Sequence, residues 1–223
     1  MARLRVAVTT DMDLAILYRA REAEPLLLLI GMVLDQQQSI ERAFTAPFDL
    51  LLRMGRPTDT GPLRASELAS MDLLELTRLF AIVPALHRFP GSMAKRTQEL
   101  CRHIAEVYDD RPADLWRTAT TGEELCARMK KVPGFGEHKA KIFTALVAKR
   151  LGLRLPGWEA AAGSFAEEGS LLSVADLDNP DALRRYREAK AAHKVLGAPE
   201  SAEPAPARPK RPSGRRPVSG TSA

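Results

Sequence analysis

Apolar residues along this chain recur mostly at intervals of three and four, the spacing that lines one face of a helix. The clearest case runs from Ser92 to Tyr108. Met93, Thr97, Leu100, Cys101, Ile104 and Tyr108 form one stripe, while Lys95, Arg96, Glu99, Arg102 and Glu106 face away from it. Leu26 to Gln37 is apolar around its circumference, which predicts a helix central to the core, opened by Pro25. A third helix starts at Ser39 and ends near Arg53, before Gly55 and a turn region from Pro57 to Pro62. Short helices are expected at Ala65 to Ala69 and Asp72 to Phe80. Thr121, with Glu124 three residues on, makes a capping box for a helix that places Leu125, Cys126, Met129 and Val132 on one face. The next helix runs from about Glu137 to Leu151 and closes at Gly152.

The ends of the chain read differently. Leu4 to Thr10 alternates apolar and polar residues, as a short strand or an extended arm does, and Thr10 or Asp11 caps a first helix to about Glu22. Downstream, Pro156, Gly157, Gly163 and Gly169 break up a looser region. A charged helix comes next over Asp181 to Leu196, with Asp176 and Asp178 as its expected caps. From Gly197 there are six prolines and no apolar periodicity, the composition of a disordered tail. The expected organisation is an all-α helical domain over 1–196 and a Pro/Ala-rich tail over 197–223.

Composition sharpens this picture. Hydrophobic residues make up 45% of the chain, enough for a substantial core, and aromatics only 5%, which favours helix over strand. The net charge is +5, but the tail supplies much of it through Arg208, Lys210, Arg211, Arg215 and Arg216 against Glu200 and Glu203. Residues 1–196 are nearly balanced, so any nucleic-acid reading must rest on a local site and not on bulk charge. Cys101 and Cys126 make no disulfide framework or iron–sulfur site and read as reduced core thiols. His87, His103 and His193 show no metal spacing with either cysteine, so neither metal nor cofactor is expected. The longest apolar run, Leu26 to Leu34, is too short to span a bilayer, and nothing resembles a signal peptide. A cytoplasmic, nucleoid-associated monomer without a membrane partner is the expectation.

The candidate site is the stretch Val132-Pro133-Gly134-Phe135-Gly136 between two helices. Gly134 and Gly136 can take positive φ and carry no side chain, so main-chain N–H groups can approach a phosphate. The second helix begins there and aims its positive dipole end at the same anion. Phe135 can pack inward between the helices. Lys139 and Lys141, with Lys130 and Lys131 before the turn, can supply flanking charge. An ordinary helix–helix turn has a similar composition.

The pattern Leu125-x3-Met129-x2-Val132-Pro-Gly-x-Gly-x3-Ala140 resembles the hairpin of the helix-hairpin-helix DNA glycosylases, the superfamily of endonuclease III and the alkyladenine glycosylases. Upstream, Leu29-Ile-Gly-Met-Val-Leu-Asp-Gln-Gln-Gln-Ser-Ile looks like that family's early helix, and Lys95 heads a helix like its Lys-Ala-x-x-Leu element. Order and spacing agree over about Leu26 to Leu151. The resemblance implies an all-α, two-lobed helical bundle that binds double-stranded DNA across its cleft and flips a damaged base out of the stack. It implies DNA contacts by Gly134, Phe135, Gly136, His138, Lys139 and Lys141 at the hairpin, and by Gln36, Gln37 and Gln38 toward the lesion. Three adjacent helical residues point about 100° apart, so at least one of these glutamines is expected to reach DNA, with a capping or interhelical bond as the alternative.

The catalytic positions depart from the family pattern. The lysine that gives some relatives a lyase step falls on His138, with Lys139 beside it. His138 either bonds a phosphate or stands exposed without a role. No aspartate lies between Gly136 and Asp176, and Glu159 stands where the family's catalytic aspartate is expected. Glu159 reads either as that carboxylate or as a solvated first-turn residue of a short helix from Trp158. Trp158 can stack on a base or fill the interior. The leading expectation is a monofunctional DNA glycosylase of base-excision repair. A non-catalytic hairpin module and a helical partner-binding protein are the rivals.

Overall fold

The computed structural model describes residues 24–56, 62–177 and 179–195. The extended arm and helix expected before Glu22, Asp178, most of the 57–62 turn and the tail from Gly197 lie outside the described residues. Within them the chain is helical and shows no strand. The helices are α1 (Pro25–Leu34), α2 (Ile40–Arg53), α3 (Ala65–Ser70), α4 (Leu73–Ala81), α5 (Pro90–Tyr108), α6 (Asp114–Arg117), α7 (Gly122–Lys131), α8 (Glu137–Arg150), α9 (Trp158–Ala162) and α10 (Pro180–Val195), with 3-10 turns at Gly163–Ala166 and Val174–Asp176.

The all-apolar α1 is central, as its sequence demands. Every residue from Leu26 to Leu34 is buried. It packs on α2 and α5, and α5 also carries α3 and α4 on its apolar face. The stripe of α5 is buried at Met93, Thr97, Leu100, Cys101 and Ile104. Its helix begins at Pro90, two residues before the expected start, because proline at the first position loses no hydrogen bond there. Farther along, α8 packs on α7, α9 and both 3-10 turns, and α6 on α7.

Side chains decide the helix ends. Ser39 accepts from the Arg42 N–H at the start of α2, and Asp72 accepts from the Leu74 and Glu75 N–H groups at the start of α4. Thr121 accepts from the Glu124 N–H at 3.1 Å, but the returning Glu124 carboxylate takes the N–H and hydroxyl of Thr120, not the N–H of Thr121. The capping box is therefore offset by one residue on its return side. These two bonds, led by the Thr120 N–H, and a contact with Arg128 pull the pKa of the Glu124 carboxyl down to about 2.

One other expectation changes. Asp176 is not the cap expected for the last helix, where Asn179 Oδ1 accepts from the Ala182 N–H at 2.8 Å. Asp176 is instead a buried carboxylate, paired with Lys149 Nζ at 2.7 Å and accepting from Ser170 Oγ and the Leu172 and Ser173 N–H groups. It clasps the loop after α9 onto α8. Both cysteines are buried and reduced, and burial pushes the Cys101 thiol far up. No described helix is long and apolar enough to cross a membrane.

The connection between α4 and α5 matters for the site. Arg42 of α2 donates to the Ala85 carbonyl at 2.7 Å, and Arg53 donates to the Leu79 and Pro84 carbonyls at 2.6 Å each. Two arginines thus hold the segment that delivers His87 to the end of α1.

Candidate nucleic-acid interface

The candidate stretch Val132–Gly136 forms a tight turn between α7 and α8. The Phe135 N–H bonds the Val132 carbonyl at 3.0 Å, with Pro133 second in the turn and Gly134 third at φ 86°. That is the signature of a type II turn, whose third position needs positive φ. Gly134 has a second reason to lack a side chain: a Cβ there would come within 3.1 Å of Val33 Cγ2. Gly136 differs from expectation. Its φ is −84°, an extended conformation open to any residue, so it contributes no left-handed geometry. It is the N-cap of α8, and no side chain caps that helix.

The residues around the turn divide by what they touch. Phe135 is buried and meets Phe143 edge-on with centroids 6.1 Å apart, which anchors the hairpin in the core and turns the ring away from any ligand. Lys139 is also turned inward. Its Nζ donates to the Met32 and Val33 carbonyls at 2.8 and 3.2 Å, capping the last turn of α1 in place of the flanking phosphate role expected for it. Lys141 pairs with Glu137 at 2.9 Å, and this contact lowers the Glu137 carboxyl and raises the lysine. His138 is exposed, with Phe165 edge-on at 5.1 Å. Lys130 and Lys131 are exposed just before the turn.

The three glutamines do not continue α1, which ends at Leu34, and they form a bend instead. Their directions are therefore set by the bend and not by helical spacing. Gln38 Nε2 donates to the Leu34 carbonyl at 2.9 Å. Gln36 Oε1 accepts from Arg96 Nη1 at 2.7 Å. Gln37 has φ 52° and is exposed. A left-handed glutamine costs about 1 kcal/mol, a strain held by the bonds on both sides.

Two residues at this junction were not legible in the sequence as site residues. Arg96 belongs to the outward set of α5, yet its guanidinium reaches back to Gln36. His87 is only 2% exposed. Its Nδ1 accepts from the Phe89 N–H at 3.0 Å, so Nε2 carries the hydrogen and donates to the Gln36 carbonyl at 2.8 Å. Burial holds its pKa below the usual histidine range, and the nearby Lys139 and Arg96 lower it further. The neutral ring is a structural pin.

Glu159 lies in the first turn of the five-residue α9 and is exposed. Trp158 beside it is buried and fills the interior against the start of α7. Among the described residues no group of His, Cys, Asp or Glu is placed to hold a metal ion. The structure thus brings the hairpin, the glutamine bend, Arg96 and His87 together around the C-terminal end of α1. No protein-family model matches the chain, and no curated protein or solved structure matches it either.

Proposed function

We propose that this protein binds duplex DNA through the α7–α8 hairpin and acts in base-excision repair as a monofunctional glycosylase of the helix-hairpin-helix type. One observation carries the reading. The uncapped start of α8 opens directly from a type II turn at Gly134, so main-chain N–H groups and the positive helix end converge without a covering cap. Such convergence suits a phosphate, and the exposed Lys130 and Lys131 supply charge beside it. These contacts position the protein without reading sequence.

The packing supports a two-lobed arrangement, with helices gathered about α5 on one side and about α8 on the other. The C-terminal end of α1 joins them, and DNA laid across that junction meets the hairpin and Gln37 together. In the chemical step the Glu159 carboxylate opposes positive charge on the sugar as the N-glycosidic bond breaks. The bonding pair leaves with the base, water adds at C1′, and the water proton goes to the departing base. Lys139 is engaged in capping α1, so a Schiff-base step is not part of the proposal.

A second reading, a hairpin module without chemistry, is favoured by the exposure of Glu159 on a short helix. Incubation with duplexes carrying uracil, an alkylated base, 8-oxoguanine or a mismatch separates the two. The glycosylase reading expects an abasic product from at least one duplex and its loss by about 100-fold in Glu159→Gln. Salt-sensitive binding with no abasic product from any duplex selects the module. Gly134→Ala is expected to weaken duplex binding about 10-fold, and undiminished binding by this variant would sink the hairpin reading.

A further inference from the structure

We propose that α10 is a second duplex-binding element, a basic arm that grips the DNA backbone beside the glutamine bend. The inference rests on the DNA-binding reading above and adds a surface to it. Its first support is where the positive charge lies. Residues 180–195 carry five Lys or Arg against Asp181 and Glu188, and residues 197–223 carry five against Glu200 and Glu203. The chain as a whole is +5, so everything outside these two stretches carries one net negative charge. A body with that balance does not attract a polyanion at long range. The attraction has to come from α10 and the residues C-terminal to it.

The second support is where α10 is fastened. At its base, Arg150 Nε donates to the Ala175 carbonyl at 2.6 Å and Lys149 pairs with Asp176, which ties the preceding turn to α8. At its middle, Arg187 Nε donates to Glu41 Oε1 at 2.6 Å. Glu41 is the second residue of α2, and the glutamine bend leads directly into it. The arm therefore runs from a turn tied to α8 to the start of α2, the helix into which the glutamine bend leads.

The third support is the use of its faces. Ala182 and Leu183 are buried and Tyr186 is half-buried against the core. Arg184, Arg185 and Lys190 are exposed, the two arginine side chains by 67% and 53%. The apolar residues and Arg187 do the strapping, and Lys190 Nζ lies over the Tyr186 ring at 5.9 Å. Arg184 and Arg185 contact Asp181 within the helix, but such exposed pairs are weak and phosphates can replace them. From Arg184 to Lys190 the helix rises about 9 Å, room for two or three phosphates of one strand at ~3.4 Å of axial rise each.

The test is duplex binding by the full chain, measured by fluorescence anisotropy of a labelled duplex over a salt series. The triple variant R184Q/R185Q/K190Q is compared with the parent chain and with Gly134→Ala. The tail is common to all three, so its contribution cancels from the differences. The expected result is binding about 10-fold or more weaker at ~0.1 M salt, with the slope of log K against log salt reduced by about 2 to 3 and the melting temperature unchanged. An unaltered slope and affinity in the triple variant, with binding lost in Gly134→Ala, overturns the arm and leaves the hairpin standing. If the parent chain holds no duplex even at low salt, the DNA-binding reading itself fails and the arm fails with it.

Discussion

Gly122 sets how closely α7 and α9 approach each other. Its N–H donates to the Pro156 carbonyl at 2.9 Å, and a Cβ there would sit 2.3 Å from Trp158 Cα. The obstacle is main chain and cannot swing aside. Gly122→Ala is therefore expected to destabilise the fold by about 3 kcal/mol, read as a lower urea midpoint. A loss below about 0.5 kcal/mol would show that α9 moves freely on α7. From the sequence, Thr121 and Glu124 announce the helix start, yet nothing in them reveals that Gly122 faces Trp158. The same limit holds at Lys139. Its spacing after Gly136 suggests a phosphate ligand, while its Nζ crosses to carbonyls more than a hundred residues earlier in the chain.

At the scale of elements, a buried ion pair clasps the loop after α9 onto α8. Asp176 and Lys149 side chains are 2% and 8% exposed, and three further donors complete the carboxylate. Removing one partner of such a pair strands the other in a poorly solvated site, a cost of about 3–5 kcal/mol. Asp176→Asn is expected to raise amide exchange over 163–177 and in α10, while α1 and α5 keep their protection. Equal exchange in both regions would mean that the pair serves the whole core. The paired change Lys149→Met with Asp176→Leu is expected to recover only part of the loss: it leaves no unpaired charge but still strands the Ser170, Leu172 and Ser173 donors. Helix positions were legible here because periodicity and caps act within a turn or two. The clasp was not, since Asp176 next to a predicted helix start looks like a cap until Lys149 is seen to reach it.

Across the whole molecule, burial of two histidines couples stability to pH. His87 and His103 both have pKa values lowered by burial, so between the folded and unfolded pKa the unfolded chain binds more protons. Stability is therefore complete above the unfolded histidine value of about 6.5 and declines as pH falls through it toward the folded values. The melting temperature is expected to drop between about pH 7 and about pH 5, and to drop less in His87→Gln. An equal slope in that variant would move the effect to other groups. Glu41 and Asp110 have lowered pKa values and add their own losses at more acid pH.

By itself the sequence determined the helical class, the buried α1, the amphipathic α5 and the positive-φ turn at Gly134. Each of these arises from residues close along the chain, where periodicity, caps and glycine conformations act locally. Only the tertiary structure decided which residues of the glutamine bend stay exposed, that His87 and Arg96 hold it, and that Lys139 caps α1. It alone placed Phe135 in the core and Glu159 at the surface. Those outcomes depend on which distant main-chain groups lack partners once the helices pack, and local sequence pattern carries no record of that.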